Sequence, residues 1–118
     1  MAYTQYTKNL LSASTNGKGI KVTATATTGT TIHTAVAGTT SVDEVWLYAA
    51  NNGTTSANLT LEWGSTTAPD NNILIYIPAY GGLQPIAPGL LLNGGLLITA
   101  FASVANVITI YGYVNTLS

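Results

Sequence analysis

The feature that most constrains this chain is its last third, where apolar runs follow one another without a single charged residue. The last charged residue of the 118-residue sequence is Asp70, and the apolar runs cover residues 90–92, 96–101 and 107–114. The two longer runs are rich in β-branched and aromatic residues, which favour strands, and both faces of each strand are apolar. Because such strands need cover on both sides, residues 88–114 are predicted to join a β-sandwich core to a subunit interface.

A membrane helix is the alternative interpretation of residues 88–114, because the stretch is long enough to span a bilayer. The turn Asn93-Gly94-Gly95 and the polar Asn106 interrupt it, and no Lys or Arg flanks it. Its β-branched residues also favour strands over a helix. We therefore expect no membrane partner.

Charge is scarce along the whole chain. Only 6% of the residues are charged, against roughly a quarter in an ordinary soluble domain, while 47% are hydrophobic. That hydrophobic content argues against disorder, and the length suits one two-layer core. The net charge is −1 and there is no arginine, which argues against a nucleic-acid partner because phosphate contacts need clustered Lys and Arg. Weak repulsion between copies favours an obligate assembly.

Alternation of apolar and polar residues predicts further strands in the first two thirds of the chain. These strands are predicted at residues 19–26, 31–37, 42–51, 57–63, 73–77 and around 83–86. The number and spacing of all strands favour an all-β fold, an antiparallel, jelly-roll-like β-sandwich of about eight strands, with an immunoglobulin-like sandwich as the alternative. Residues 13–118 are predicted to form this single domain, and residues 1–12 either a first strand or an extended N-terminal arm.

Strand periodicity also predicts which side chains face outward. It places Ile32 and His33 on opposite faces of one strand, so His33 is expected at the surface or in an interface, and it turns Glu62 outward. The strands at residues 73–77 and 107–114 are apolar on both faces, which predicts that part of each lies in a subunit interface. The residues assigned to this interface are Ile73, Ile75, Tyr76, Val107, Thr109, Tyr111 and Tyr113.

Few residues in this chain could carry chemistry. It has no cysteine, one histidine and four carboxylates, and it lacks nucleophile-elbow, phosphate-loop and dinucleotide motifs. The segments Asp43-Glu44 and Asp70-Asn71-Asn72 offer oxygen ligands, but neither forms the alternating acidic loop of a calcium site. We therefore expect no enzymatic activity, no cofactor and no metal ion.

Aromatic residues are numerous enough to form either a sugar-stacking face or the centre of a protein interface. They include Trp46, Tyr48, Trp63, Tyr76, Tyr80, Tyr111 and Tyr113. The interface interpretation is favoured because the strands around Tyr76 and Tyr111 are apolar all round.

A resemblance to small virion proteins of tailed bacteriophages spans most of residues 41–114. It rests on the segments SVDEVWLYAANNGTTSANLTLEWG, IPAYGGLQPIAPGLLLNGG and ITAFASVANVITIYGYV. The group includes jelly-roll capsid decoration, or cement, proteins. The resemblance implies a non-enzymatic subunit, made in the host cytoplasm, that binds the outer capsid surface of the virion as a homotrimer and stabilises contacts between major capsid proteins.

The resemblance also implies that the N-terminal segment is an arm that contacts the major capsid protein. The residues assigned to this contact are Tyr3, Tyr6, Leu10 and Leu11. A carbohydrate-binding or receptor-binding jelly-roll module of a phage tail or fibre is the alternative function, and a small tail or connector component is a third.

Overall fold

A computed structural model describes residues 3–118 of the chain, which contain nine strands and no helix. They are β1 (Tyr6–Leu10), β2 (Ile20–Lys21), β3 (Thr30–Thr34), β4 (Val42–Asn51), β5 (Ala57–Trp63), β6 (Asn72–Ile77), β7 (Gln84–Leu92), β8 (Leu97–Ala102) and β9 (Ile108–Leu117). Within these residues no helix is long and apolar enough to cross a membrane.

The strands pair into two antiparallel sheets. In the first sheet the order is β1-β9-β4-β7, and the short β2 also pairs with β9. In the second sheet the order is β3-β8-β5-β6. Most consecutive strands therefore cross from one sheet to the other, which gives the strand order of a jelly roll. The predicted all-β antiparallel sandwich of about eight strands is confirmed.

The core lies between the two sheets and is built from alternate residues of the central strands. On β4, Val45, Leu47 and Ala49 are fully buried, and on β5 so are Leu59 and Leu61. The central strands β8 and β9 add Ile98, Ala100, Ala102, Ile108, Ile110 and Val114 to the same cluster. The predicted inward faces of β4 and β5 are therefore confirmed.

The strand predicted at residues 19–26 is much shorter in the structure, where only Ile20–Lys21 pairs with β9. The N–H of Val22 still donates to the start of β9, at 2.9 Å, but the carbonyl of Ala24 accepts from the N–H of Ala102 on β8, at 3.0 Å. The chain therefore crosses from the first sheet to the second within two residues. Alternation cannot reveal this crossing, because the polar and apolar residues continue to alternate through it.

The prediction that His33 lies at the surface or in an interface is wrong, because β3 contains a bulge. The pairing of β3 with β8 shifts register between Thr31 and His33. As a result, the consecutive side chains of Ile32 and His33 are both buried. A prediction from strict alternation fails at such a point, because a shift of one residue exchanges the two faces of a strand.

The apolar segments predicted around residues 83–86 and at residues 90–92 join into one strand, β7. Pro85 and Pro88 lie within it, and the strand tolerates them because it is the edge strand of the first sheet. Its pairing with β4 contains two register shifts. These irregularities make β7 a poor template for pairing with another chain.

At the N-terminus, residues Tyr6–Leu10 adopt the first of the two predicted alternatives, a strand. They pair with β9 from Leu117 to Tyr113, and all five are exposed. Leu11, which follows them, is fully buried in the core. Residues 1 and 2 of the predicted arm lie outside the described residues.

Candidate functional site

Three of the residues predicted to form a subunit interface pack against the subunit's own core. Ile73 and Ile75 point inward from β6, are half-buried and pack against the core. Val107, just before β9, is also half-buried and packs against the core. The apolar character of these side chains is therefore accounted for by the core of the domain.

The other four predicted interface residues lie on opposite outer faces of the sandwich. Thr109, Tyr111 and Tyr113 alternate with the buried residues of β9, so they lie on the outer face of the first sheet. Tyr76 lies on the outer face of the second sheet. Because these two faces point away from each other, Tyr76 and Tyr111 cannot belong to one continuous patch.

The outer side of β6 carries two strongly exposed large side chains, one of which, Leu74, is the most exposed large hydrophobic residue of the described chain. Leu74 is 75% exposed and Tyr76 is 62% exposed. Together with Asn58 and Ile75 they line a shallow cleft of about 420 Å³. The sequence prediction missed Leu74, although alternation with the inward Ile73 and Ile75 places it outside.

The middle of the β6 backbone is also free to pair along its outer edge. The carbonyl of Asn71 accepts from the N–H of Trp63 on β5, so every second residue counted from Asn71 turns its backbone groups toward β5. Leu74 lies between two such residues and therefore points its N–H and carbonyl away from β5. The carbonyl of Tyr76 points the same way but already accepts from the Gln84 side chain, so the free groups in the middle of this edge are the N–H and carbonyl of Leu74 and the N–H of Tyr76. The strand contains neither proline nor a charged residue, and natural proteins usually protect sheet edges with one or the other.

The predicted capsid-contacting residues fall into different environments. Tyr6 and Leu10 are exposed on β1, and Tyr3 is half-buried ahead of that strand. Leu11 is inaccessible, because it belongs to the core. Tyr6 and Leu10 are therefore the two predicted residues most open to a partner.

The aromatic residues of the first sheet cover one another. The rings of Trp46 and Tyr113 are stacked with centroids 6.2 Å apart and planes 12° apart. On the other side of Trp46 lies Gly89 of β7, which adopts a positive φ of 83°, and a Cβ added there would lie 3.1 Å from the indole. Trp46 is thus enclosed between two strands, which leaves little of its ring for a ligand.

Glu44 organises the polar groups beside this stack. Its Oε1 accepts from Trp46 Nε1 at 2.9 Å and from Asn115 Nδ2 at 3.1 Å. These two hydrogen bonds, the one from Trp46 first, lower the pKa of Glu44 below its ordinary value. Lys8, Asn115 and Glu44 lie directly beside one another across β1, β9 and β4.

His33 and Asp43 form a buried pair at the opposite, inner side of β4. Asp43 Oδ2 lies 2.7 Å from His33 Nε2 and accepts from the N–H of Val36 at 3.1 Å, while Oδ1 accepts from the Thr116 hydroxyl at 2.6 Å. His33 Nδ1 accepts from the N–H of Ser12 at 3.0 Å, so the hydrogen-bond network places the ring proton on Nε2. Both ring nitrogens are engaged, and the pair links the segment after β1 to β3, β4 and β9.

Glu62 faces outward from β5, as predicted, but it is buried beneath the segment that joins β2 to β3. Its carboxylate accepts from the Thr27 hydroxyl, from the N–H of Gly29 at 2.8 Å and from the Thr99 hydroxyl at 2.6 Å. Burial raises the pKa of Glu62, but the three hydrogen bonds together outweigh it, so the pKa lies below the ordinary value of 4.5. Local sequence patterns do not indicate this cover, because it comes from a loop more than thirty residues away.

The carboxylates of the described residues do not converge on one point. Asp43 and Glu44 point to opposite faces of β4, and Glu62 lies on the second sheet. Among residues 3–118 no group of three or more His, Asp or Glu side chains could hold a metal ion. His33 and Asp43 are the only acidic and basic side chains in direct contact in this part of the chain.

The fold and these surfaces define a jelly-roll β-sandwich with one unprotected apolar edge and one polar-aromatic outer face. Comparisons with known protein families, with curated proteins and with solved structures found no match to this chain.

Proposed function

We propose that this protein is a non-enzymatic structural subunit of a tailed-phage virion. In this role it is a capsid decoration, or cement, protein that binds the outer head surface as a homotrimer and stabilises contacts between major capsid proteins. The observation that carries the proposal is the unprotected edge strand β6, with Leu74 and Tyr76 directed outward. The sequence resemblance to small phage virion proteins supplies the biological setting.

The physical demands on a capsid staple suit this surface. Such a subunit must bury apolar area against several neighbours, and its contacts should persist when salt screens charges. With 6% charged residues the chain has few ion pairs to offer a partner. The exposed apolar side chains and free backbone groups of β6 together offer burial and main-chain hydrogen bonds to one neighbour.

Threefold symmetry determines how β6 is used. Three copies around one axis make head-to-tail contacts, so β6 of one copy meets a different surface of the next copy. Pairing of β6 with β6 would give a dimer instead. The exposed Tyr6 and Leu10 on β1 are then the residues proposed to contact the major capsid protein, and three such weak contacts act together through effective concentration.

A charge-reversal test of β6 examines the assembly. We expect the unaltered protein to sediment as a trimer and L74K/Y76K to sediment as a monomer, with a dissociation constant raised at least about a hundredfold because two ammonium groups would be buried. Both side chains are exposed, so the variant should keep its circular dichroism and melting temperature. The matched control, T54K/T55K, adds the same charge at exposed positions between β4 and β5 and should remain a trimer.

Two results would contradict this part of the proposal. The first is a wild-type protein that stays monomeric or forms only dimers at all concentrations. The second is an L74K/Y76K variant that assembles as well as the T54K/T55K control.

Copy number in the virion tests the location. A decoration protein is present in many copies over the head, and labelled antibody should bind there in electron micrographs of the phage that encodes it. A handful of copies at the tail would favour the tail, fibre or connector role and would exclude capsid decoration.

A further inference from the structure

We infer that a cleft on the outer face of the first sheet binds a neutral sugar. The cleft has a volume of about 360 Å³ and lies over β1, β9 and β4, where its lining is formed by Tyr6, Lys8, Glu44, Asn115 and Leu117. Pockets for small ligands typically have volumes of about 300–1,000 Å³. The cleft is separate from the proposed contact between subunits, because β6 belongs to the other sheet, but it shares Tyr6 with the proposed capsid contact, so it is tested on protein free of capsid.

Lys8 and Glu44 give the cleft a hydrogen-bond donor and an acceptor that are not paired with each other. The Lys8 ammonium lies 4.7 Å above the ring centroid of Tyr113, and it forms no ion pair with Glu44 in the described chain. Glu44 Oε1 accepts hydrogen bonds from Trp46 and Asn115, whereas no described residue donates to Glu44 Oε2. Adjacent hydroxyls of a pyranose can each donate and accept, so they match such a pair.

Asn115 adds a further acceptor between these two groups. Its Nδ2 donates to Glu44, while its Oδ1 is buried and has no donor among the described residues. Buried polar atoms without a partner are rare in folded proteins, because each one loses its hydration without gaining a hydrogen bond in return. Because Asn115 lines the cleft, a sugar hydroxyl bound there would supply the missing donor.

Tyr6 and Leu117 supply the apolar side of the cleft. They lie directly opposite each other on β1 and β9, and the Tyr6 side chain is 71% exposed. The C–H groups on one face of a pyranose carry slight positive charge, which suits the negative face of an aromatic ring. Trp46 cannot serve in this way, because Tyr113 and Gly89 enclose its ring and its N–H is bound to Glu44.

The charges favour a neutral sugar over an anionic one. Glu44 is ionised at neutral pH, since its hydrogen bonds lower its pKa, and it would repel a carboxylate or phosphate in the cleft. Lys8 balances the charge of Glu44, so the cleft has no net positive charge with which to attract an anion, and a neutral sugar is favoured.

Nuclear magnetic resonance titration of the purified protein, free of capsid, tests the inference. The probes are methyl glycosides of glucose, galactose, mannose and N-acetylglucosamine, each added to about 50 mM, a range that detects millimolar dissociation constants. With at least one glycoside we expect saturable shifts of the amide signals of Tyr6, Lys8 and Asn115. Absence of shifts with all four glycosides, or shifts confined to other parts of the molecule, would overturn the inference.

Two exposed tyrosines provide a matched pair of variants. Tyr6→Ser should weaken binding of the active glycoside at least about tenfold by removing the stacking ring. Tyr80→Ser, at a side chain that is 69% exposed but lies away from the cleft, should leave binding unchanged. Equal binding by both variants would reject the cleft as the site. Neither result affects the assembly test, because L74K/Y76K leaves the cleft intact.

Discussion

Replacing Asp43 with alanine is expected to lower the free energy of unfolding by about 3–5 kcal/mol, because three hydrogen-bond donors would lose their acceptor, each at a cost of about 1–3 kcal/mol when buried. Asp43 accepts hydrogen bonds from the His33 ring, the Val36 N–H and the Thr116 hydroxyl. In the variant the buried His33 Nε2 and the half-buried Val36 N–H and Thr116 hydroxyl lose their acceptor, and the buried donor cannot recover hydration in return. A whole domain is typically stable by only about 5–15 kcal/mol, so this loss is a large part of the total.

Urea unfolding at neutral pH measures this effect. The midpoint of Asp43→Ala should fall while the slope of the transition stays the same, because the folded structure still buries a similar surface. Asp70→Ala is the matched control, since it makes the same change at an exposed position and should shift stability by less than about 0.5 kcal/mol. Equal losses in the two variants would show that the hydrogen bonds around Asp43 contribute nothing to stability.

A double-mutant cycle separates the pair from its surroundings. The double variant H33A/D43A should lose less stability than the sum of the two single variants, by a coupling energy of about 0.5–3 kcal/mol. The reason is that Asp43→Ala already leaves His33 Nε2 without its partner, so part of the cost is counted in both single variants. Additive losses would mean that His33 and Asp43 act independently.

The sequence predicted the parts of the fold that depend on regular alternation. The inward faces of β4 and β5 follow from it directly, because buried and less buried residues alternate along β4. On β6 the same alternation places Leu74 outside with Tyr76. Both faces of that strand are apolar, however, so composition alone does not distinguish its core face from its outer face.

The two buried acidic clusters could not be predicted, because their partners come from distant parts of the chain. His33 reaches Asp43 only because a bulge in β3 reverses the alternation. Thr116, which completes that cluster, is 73 residues from Asp43. Such contacts depend on register and crossings between sheets, which local patterns do not record.

The polar-aromatic cleft was unpredictable for a similar reason. Lys8, Glu44 and Asn115 are far apart in sequence and come together only through the pairing of β1 and β4 on either side of β9. The sequence did show that aromatic residues were numerous. It could not show that Trp46 is enclosed while Tyr6 is open, because that difference depends on the approach of Gly89.

Replacing Glu62 with glutamine is expected to cost about 2–3 kcal/mol at neutral pH, because the change removes the negative charge and one acceptor from a buried site. The Thr27 hydroxyl, the Gly29 N–H and the Thr99 hydroxyl all donate to the two carboxylate oxygens. An amide NH₂ in place of one oxygen would face a donor. Asp70→Asn, which removes one charge at an exposed site, should change stability by less than about 0.5 kcal/mol.

The pH dependence of this loss has a definite sign. The pKa of Glu62 is lower in the folded protein than its ordinary value of 4.5, so the folded state binds its proton less readily than the unfolded state. The stabilisation from the Glu62 carboxylate is therefore complete above about pH 5 and is lost as the pH falls through the folded-state pKa. The wild type should lose stability on acidification more steeply than Glu62→Gln, and the difference between them should narrow below about pH 4.5.

Urea unfolding of both proteins between about pH 7 and about pH 3 measures this convergence. The lowered pKa of Glu44 acts in the same pH range, but it is common to both proteins and cancels in the difference between them. Asp70→Asn should follow the wild-type curve closely, because no described residue forms a hydrogen bond with the Asp70 side chain. A difference between wild type and Glu62→Gln that stays constant over the whole range would mean that the ionised carboxylate does not stabilise the fold, and that the segment over β5 is held by packing alone.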